Sequence, residues 1–237
     1  MIKSINKLLN KFGADLVRFP NNDLKRRLFL INNNKIDLVI DVGANKGQYG
    51  LQLRKIGYSG KIVSFEPILE PYSKLSNLAT KGNNWEAFNF GFGDQNGSFT
   101  INKSENIVSS SILEITSNST KVEPKTKYIS TEQIEIKRLD SYYESIKSKG
   151  KNIYLKLDVQ GFEMNVLKGA GSILKEFKII QLEMSLVELY KGETLFIEMI
   201  KFLEDNDFIL HSLEPGFWDK KTGKLLQIDG LFLKKAI

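Results

Sequence analysis

The segment Asp41-Val42-Gly43-Ala44-Asn45-Lys46-Gly47 brings a carboxylate and two glycines to the point where an apolar strand pattern gives way to a helical one. Open parallel sheets bind ligands just beyond the carboxyl ends of their strands. Glycine lets the backbone approach a ligand closely, and the N–H groups opening the next helix point at it. No Gly-Lys-Ser/Thr follows, so this is not a phosphate-gripping loop. Asn45 stands where a dinucleotide loop carries its second glycine, which argues against a pyrophosphate. Asp41 suits a positively charged group on the ligand. Glu66 ends the next strand pattern, where a carboxylate can accept both hydroxyls of a ribose. The turn Gly91-Phe92-Gly93-Asp94 follows the third strand pattern and can hold an adenine edge, with Asp94 accepting from the exocyclic amine. These residues describe a pocket for a nucleoside-type cofactor without a pyrophosphate.

A second constellation is Leu155-Lys156-Leu157-Asp158-Val159-Gln160-Gly161-Phe162-Glu163. Lys156 and Asp158 share one strand face, because side chains alternate with period two. Such a pair can orient an acceptor hydroxyl or remove its proton. Glu163 opens the next helix, where an acid is also favoured by the helix dipole alone. Gln181-Leu182-Glu183 ends a further strand and aims Glu183 at the same rim. Asp158, Lys156, Glu163 and Glu183 are the catalytic candidates. Asp158, Glu163 and Glu183 carry oxygens of the kind a divalent cation takes, but nothing in their spacing fixes a geometry, and no metal site is assigned. His211, the single histidine, lies in a late strand and reads as structural. Phe217 and Trp218 either cap an acceptor or pack.

These residues need a scaffold that gathers strand ends. From Ile36 onward the chain alternates the two signals: strands at 38–42, 61–65 and 85–90, with helices at 49–55 and 70–79. Further strands are expected at 153–157, 178–182, 208–213 and 228–233, with helices at 163–174 and 194–206. Short buried strands alternating with helices argue for a parallel sheet covered on both faces. The stretch 97–139 interrupts this, with strands at 98–102 and 133–137 forming a small β insert. Between them, 104–132 is rich in Ser, Thr, Asn and Lys; loops of this length are usually functional or mobile. It reads either as a lid or substrate loop or as a surface excursion.

Charge sets the N-terminus apart. The net charge is +6, from 34 basic and 28 acidic residues over 237 positions. Residues 1–35 hold eight bases and two acids, so the remainder is neutral. A nucleic-acid binder spreads its basic patch over the docking face, so no nucleic-acid partner is expected. Ile2, Ile5, Leu8, Leu9 and Phe12 make an amphipathic pattern with lysines between them, and Leu24, Leu28 and Ile31 make a second short stripe. We read 1–35 as a basic helical extension and 36–237 as the main domain. Such a helix can lie peripherally on an anionic membrane; the blander reading, packing with a solvated basic face, weighs more. No secretory signal pattern and no apolar run of spanning length is read, so a cytoplasmic chain is expected, with peripheral contact at the inner membrane face as the variant. With no cysteine, disulfides, a thiol nucleophile and Cys-ligated metals are excluded.

At these residues the chain resembles the FkbM-type family of S-adenosylmethionine-dependent methyltransferases. The resemblance runs from about Ile36 to Leu233. It rests on IDLVIDVGANKGQYG, on SFEP at 64–67, on the GFGDQNG turn and on YLKLDVQGFEMNVLKGA at 154–170. The family pattern Lys-x-Asp-x-Glu-Gly-x-Glu carries Gln160 here at its first glutamate. The resemblance implies a Rossmann-like α/β fold, a seven-stranded mostly parallel sheet with an antiparallel last strand. It implies S-adenosylmethionine as cofactor, with Asp41, Gly43, Ala44, Asn45, Gly47, Gln48 and Tyr49 toward the methionine part. Glu66 and Pro67 would then meet the ribose, and Gly91, Phe92 and Asp94 the adenine, with Asp158 at the reacting end. The expected activity is methyl transfer to a hydroxyl, of a sugar in a glycan or glycolipid precursor. The alternatives are an inactive nucleoside-binding scaffold and, disfavoured by Asn45, a nicotinamide-dependent oxidoreductase.

Overall fold

The structure is a computed structural model and describes residues 5, 9–14 and 19–235. Most of the first expected amphipathic helix lies outside the described residues; Asn10–Phe12 forms a single 3-10 turn. In chain order there follow α1 (Asn22–Asn33), β1 (Leu38–Val42), α2 (Gln48–Lys55), β2 (Lys61–Phe65), α3 (Leu69–Lys81) and β3 (Trp85–Phe88). Next come β4 (Gly91–Gly93), β5 (Gly97–Ser104), α4 (Ser117–Val122), β6 (Tyr128–Arg138), α5 (Leu139–Lys147) and β7 (Ile153–Leu157). The chain closes with α6 (Glu163–Ala170), β8 (Phe177–Ser185), α7 (Phe196–Asp205), β9 (Phe208–Pro215) and β10 (Gln227–Lys234).

Seven strands form one sheet in the order β3-β2-β1-β7-β8-β10-β9. β10 runs antiparallel to both its neighbours, β8 and β9, and the other pairs are parallel. This is the arrangement the resemblance implied. The order reverses between β1 and β7, which opens a crevice beyond their carboxyl ends. β1 and β7 are buried along their whole length, as strands covered on both faces must be. One core joins Ile40, Phe65, Leu155 and Ile180 to α5, α6 and α7; the other joins Val39, Ile62, Tyr154 and Ile179 to α1, α2 and α3.

Asn21 starts α1 by accepting a hydrogen bond from the Leu24 amide at 2.9 Å, which satisfies an otherwise orphaned helix donor. The expected stripe Leu24, Leu28 and Ile31 packs on the core, Leu28 only partly buried, and Arg27 and Leu30 join the buried face of α1. Among the described residues, no helix is long and apolar enough to cross a membrane.

Two expected elements end early. The third strand stops at Phe88, because Gly91–Gly93 leaves the main sheet and pairs in parallel with β6. The helix expected over 163–174 stops at Ala170, where Gly171 takes a φ of 51° and a 3-10 segment leads to β8. β4, β6 and β5 make the small second sheet. The segment 104–132 is folded rather than open: it pairs Asn102 with Ser111 and Ile115 with Tyr190, and includes α4 and the 3-10 turn Pro124–Thr126.

Candidate functional site

The carboxyl ends of β1, β2, β7 and β8 open into a cavity of about 700 Å³, within the usual range for small-molecule sites. The main sheet forms its floor, and the 104–132 segment supplies part of its wall through Asn106, Ser109, Ser110, Ser119, Glu123 and Thr126.

Gly43, Ala44, Asn45, Gln48 and Tyr49 line one end. Gly43 has a φ of 75°, and a Cβ there would lie 1.9 Å from the Asp158 carbonyl oxygen. Only glycine lets the loops after β1 and β7 approach this closely. Glu66 stands at the end of β2 and is 5% exposed. Its Oε2 accepts from the Asn45 amide and its Oε1 from the Ile68 amide, both at 2.9 Å. Each oxygen keeps a lone pair for a further donor. Burial pushes the Glu66 pKa up to about 7 against the pull of these two amides. Pro67, Ile68, Gly91, Phe92, Ile136 and Phe162 give the adjoining wall an apolar character.

Beneath the loop lies a buried polar row. Asp41 is fully buried, with Lys156 Nζ 3.3 Å from its Oδ1 and the Ser64 hydroxyl donating to its Oδ2 at 3.3 Å. Lys156 Nζ also lies 3.3 Å from Asp158 Oδ2 and 5.2 Å from the Tyr49 ring centre. Burial works against the lysine charge, but Asp158 and Asp41 outweigh it and hold the pKa above its ordinary value. The hydroxyls of Tyr49 and Tyr154 both donate to Gln181 Oε1, at 2.9 and 2.6 Å. Arg27 reaches this layer from α1, donating to Glu214 Oε2 at 2.6 Å and to Gln52 Oε1 at 2.9 Å.

The cavity is also lined by Asp158, Gln160, Glu183, Tyr190, Gln227 and Asp229. Gln160 Nε2 donates to Asp158 Oδ1 at 2.8 Å and to Glu183 Oε2 at 3.1 Å, and Gln227 Nε2 donates to the same Glu183 oxygen at 2.9 Å. Burial, then the neighbouring Asp158, raise the Glu183 pKa well above its ordinary value. Asp158 itself is accessible, its side chain 42% exposed.

Of the residues singled out in the sequence, Gly43, Ala44, Asn45, Gln48, Tyr49, Glu66, Pro67, Gly91, Phe92, Lys156, Asp158, Glu183 and Phe217 face the cavity. Five others do not. Asp41 lies beneath it, covered by Lys156. Gly47 packs under the loop against Leu75, Leu78 and Trp85. Asp94 is held outside it, its carbonyl accepting from Arg138 Nη1 at 2.6 Å. Glu163 is buried and accepts from the Val159 amide at 2.9 Å, closing the 158–163 turn, and burial pushes its pKa up to about 8. Trp218 is half exposed away from the cavity, and His211 is exposed on β9. Sequence reasoning missed Arg27, Tyr190 and Asp229, and noted Gln160 only as the residue standing at the family pattern's first glutamate. Arg27 had a signal: it sits three residues after Leu24 and four before Ile31, a charge on an apolar face. Among the described residues, no group of three His, Cys, Asp or Glu side chains is placed to hold a metal ion.

A switch-point cavity, a carboxylate at the end of β2 and this strand order define an α/β protein of the S-adenosylmethionine-dependent methyltransferase class. The FkbM methyltransferase domain family matches residues 41–210, and the chain belongs to it. No curated protein matches the sequence. Similar solved structures include an rRNA methylase from Streptococcus thermophilus, at 12% identity over 93% of this chain and 100% of that one, TM-score 0.49. Another is magnesium protoporphyrin IX methyltransferase from Synechocystis PCC 6803 with bound SAM, at 11% identity over 98% and 91%, TM-score 0.49. A third is a SAM-dependent methyltransferase from Aquifex aeolicus, at 12% identity over 90% of both chains, TM-score 0.45. The class rests on the strand order and the family match.

Proposed function

We propose that the chain transfers a methyl group to a hydroxyl oxygen, in a sugar of a glycan or glycolipid precursor. The observation that carries this reading is the Asp158 carboxylate, exposed between Lys156 and Gln160 in a cavity whose lining also includes hydroxyls and amides of the 104–132 segment. S-adenosylmethionine supplies the activated methyl. The residues fit it: Glu66 retains acceptor capacity for two ribose hydroxyls, and the apolar wall around Phe92 suits a flat base. Gly43, Ala44, Asn45, Gln48 and Tyr49 would hold the methionine end. In this assignment Asp41 and Gly47 shape the loop instead of touching the ligand.

The chain's own work is alignment and proton removal. Holding an acceptor oxygen in line contributes by removing orientational freedom. A hydroxyl is a poor nucleophile near neutral pH, so it needs a base. Asp158 would take the proton of the acceptor hydroxyl, and Lys156, 3.3 Å from its Oδ2, would hold that carboxylate in place. The polar wall of Asn106, Ser109, Ser110 and Tyr190 offers donors and acceptors to a polyhydroxylated acceptor.

The test is Asp158→Asn against a library of sugar hydroxyl acceptors, with S-adenosylhomocysteine affinity measured in parallel. Turnover falls at least about a hundredfold and cofactor affinity stays within a few-fold. Normal turnover in the variant removes Asp158 from the mechanism.

A further inference from the structure

Gln160 engages both ends of its side-chain amide and its backbone carbonyl. Nε2 faces the carboxylates of Asp158 and Glu183, and Oε1 accepts from the Tyr190 hydroxyl at 2.6 Å. Its backbone carbonyl accepts from Ser111 Oγ at 2.7 Å. Its φ of 55° lies in the left-handed region, which a residue with a side chain enters only when its surroundings hold it there. The contacts also fix which way the amide points. Turned over, its oxygen would meet two carboxylate oxygens, and its N–H groups would face away from both. A neutral group with two N–H donors on one atom and an acceptor on the other satisfies all three neighbours at once.

We propose that Gln160 is a positioning residue: its amide, oriented by Tyr190 and tied through Ser111 to the 104–132 segment, holds the Asp158 and Glu183 carboxylates as a fixed pair at the cavity wall. Its catalytic consequence rests on the methyl-transfer reading above; the pairing itself does not. Folding of the acceptor-side segment and placement of the carboxylates become one event, because Tyr190 also reaches the Ser109 carbonyl at 3.3 Å.

Charged and titratable groups converge on this pair from several elements. Lys156 comes from β7, Asp41 from β1, Glu163 from α6, Asp229 from β10 and Tyr190 from the loop after β8. The test therefore reads the two carboxyl groups individually. Side-chain carboxyl carbons of Asp and Glu are labelled with ¹³C in the full chain and titrated by NMR, in wild type, Gln160→Glu, Gln160→Met and Tyr190→Phe. Gln160→Glu adds a third carboxyl and moves the Glu183 midpoint up by at least about one pH unit. Gln160→Met removes the shared donor and moves both midpoints up. Tyr190→Phe moves them in the same direction by less, and S-adenosylhomocysteine affinity stays within about threefold of wild type. Unmoved midpoints in Gln160→Glu and Gln160→Met overturn the proposal, whatever happens to the melting temperature. The readout needs neither cofactor nor acceptor. Moved midpoints in a protein that methylates no hydroxyl would reject the catalytic reading and support the pairing.

Discussion

With Glu66 as the proposed ribose acceptor, cofactor binding should depend on pH in a direction that can be worked out. Its carboxylate is buried, and its pKa rises from an ordinary 4.5 to about 7. Ribose hydroxyls donate, so they favour the ionised form. Binding through Glu66 is then coupled to loss of its proton. If only the ionised form binds, affinity follows the ionised fraction, roughly one tenth at pH 6 and nine tenths at pH 8. The gain is about tenfold, or about 1.4 kcal/mol. Glu66→Gln offers an amide with one acceptor atom in place of two. It should flatten the profile and weaken binding at pH 8 by about 1.5–3 kcal/mol, the cost of losing a charge-assisted hydrogen bond. Isothermal titration with S-adenosylhomocysteine at pH 6, 7 and 8, in buffers of different ionisation heat, reads both affinity and proton release. The same shift acts on the ligand-free fold. A folded-state pKa above the unfolded value means that the folded form holds the proton longer. Stability from this group is therefore fully present below about pH 4.5 and falls by about 3 kcal/mol as the pH rises through 7. A flat affinity profile in wild type, or Glu66→Gln binding as tightly as wild type at pH 8, refutes the reasoning.

Gly43→Ala places a Cβ 1.9 Å from the Asp158 carbonyl oxygen at a positive φ; with left-handed strain of about 1–2 kcal/mol plus the overlap, urea unfolding should show a loss of at least about 3 kcal/mol. Lys156→Met strips the buried Asp41 of its cation and should cost about 3–5 kcal/mol at pH 7 by the same assay, with Asp41→Asn in that background recovering most of it. Arg27→Ala leaves Glu214, 7% exposed, without its nearest partner, and should cost about 3 kcal/mol; Arg27→Lys keeps the charge but loses the fork to Gln52 and should recover only part.

The sheet was legible because its strands carry their own signal: Leu38–Val42, Lys61–Phe65 and Ile153–Leu157 are short apolar runs bounded by turn residues. Residues ending those strands, such as Glu66 and Asp158, were legible for the same reason, since the fold class places strand ends at the crevice. What escaped depended on tertiary detail. Asp41 and Asp158 both follow apolar strand runs, yet Lys156 covers the first and leaves the second open to the cavity. Asp94 and Glu163 read as site residues from their neighbours, but the backbone of one is held by Arg138 outside the cavity and the other closes a turn. The polar 104–132 segment gave no periodicity; its order comes from contacts with Tyr190 and Gln160, more than 40 positions away.

Isothermal titration of the purified chain with S-adenosylmethionine, S-adenosylhomocysteine and NAD addresses the central claim most directly. Saturable binding of both adenosyl ligands, lost in Gly43→Ala and weakened in Glu66→Gln, with no binding of NAD, is the predicted result. Binding of NAD alone, or of none of the three, would contradict it.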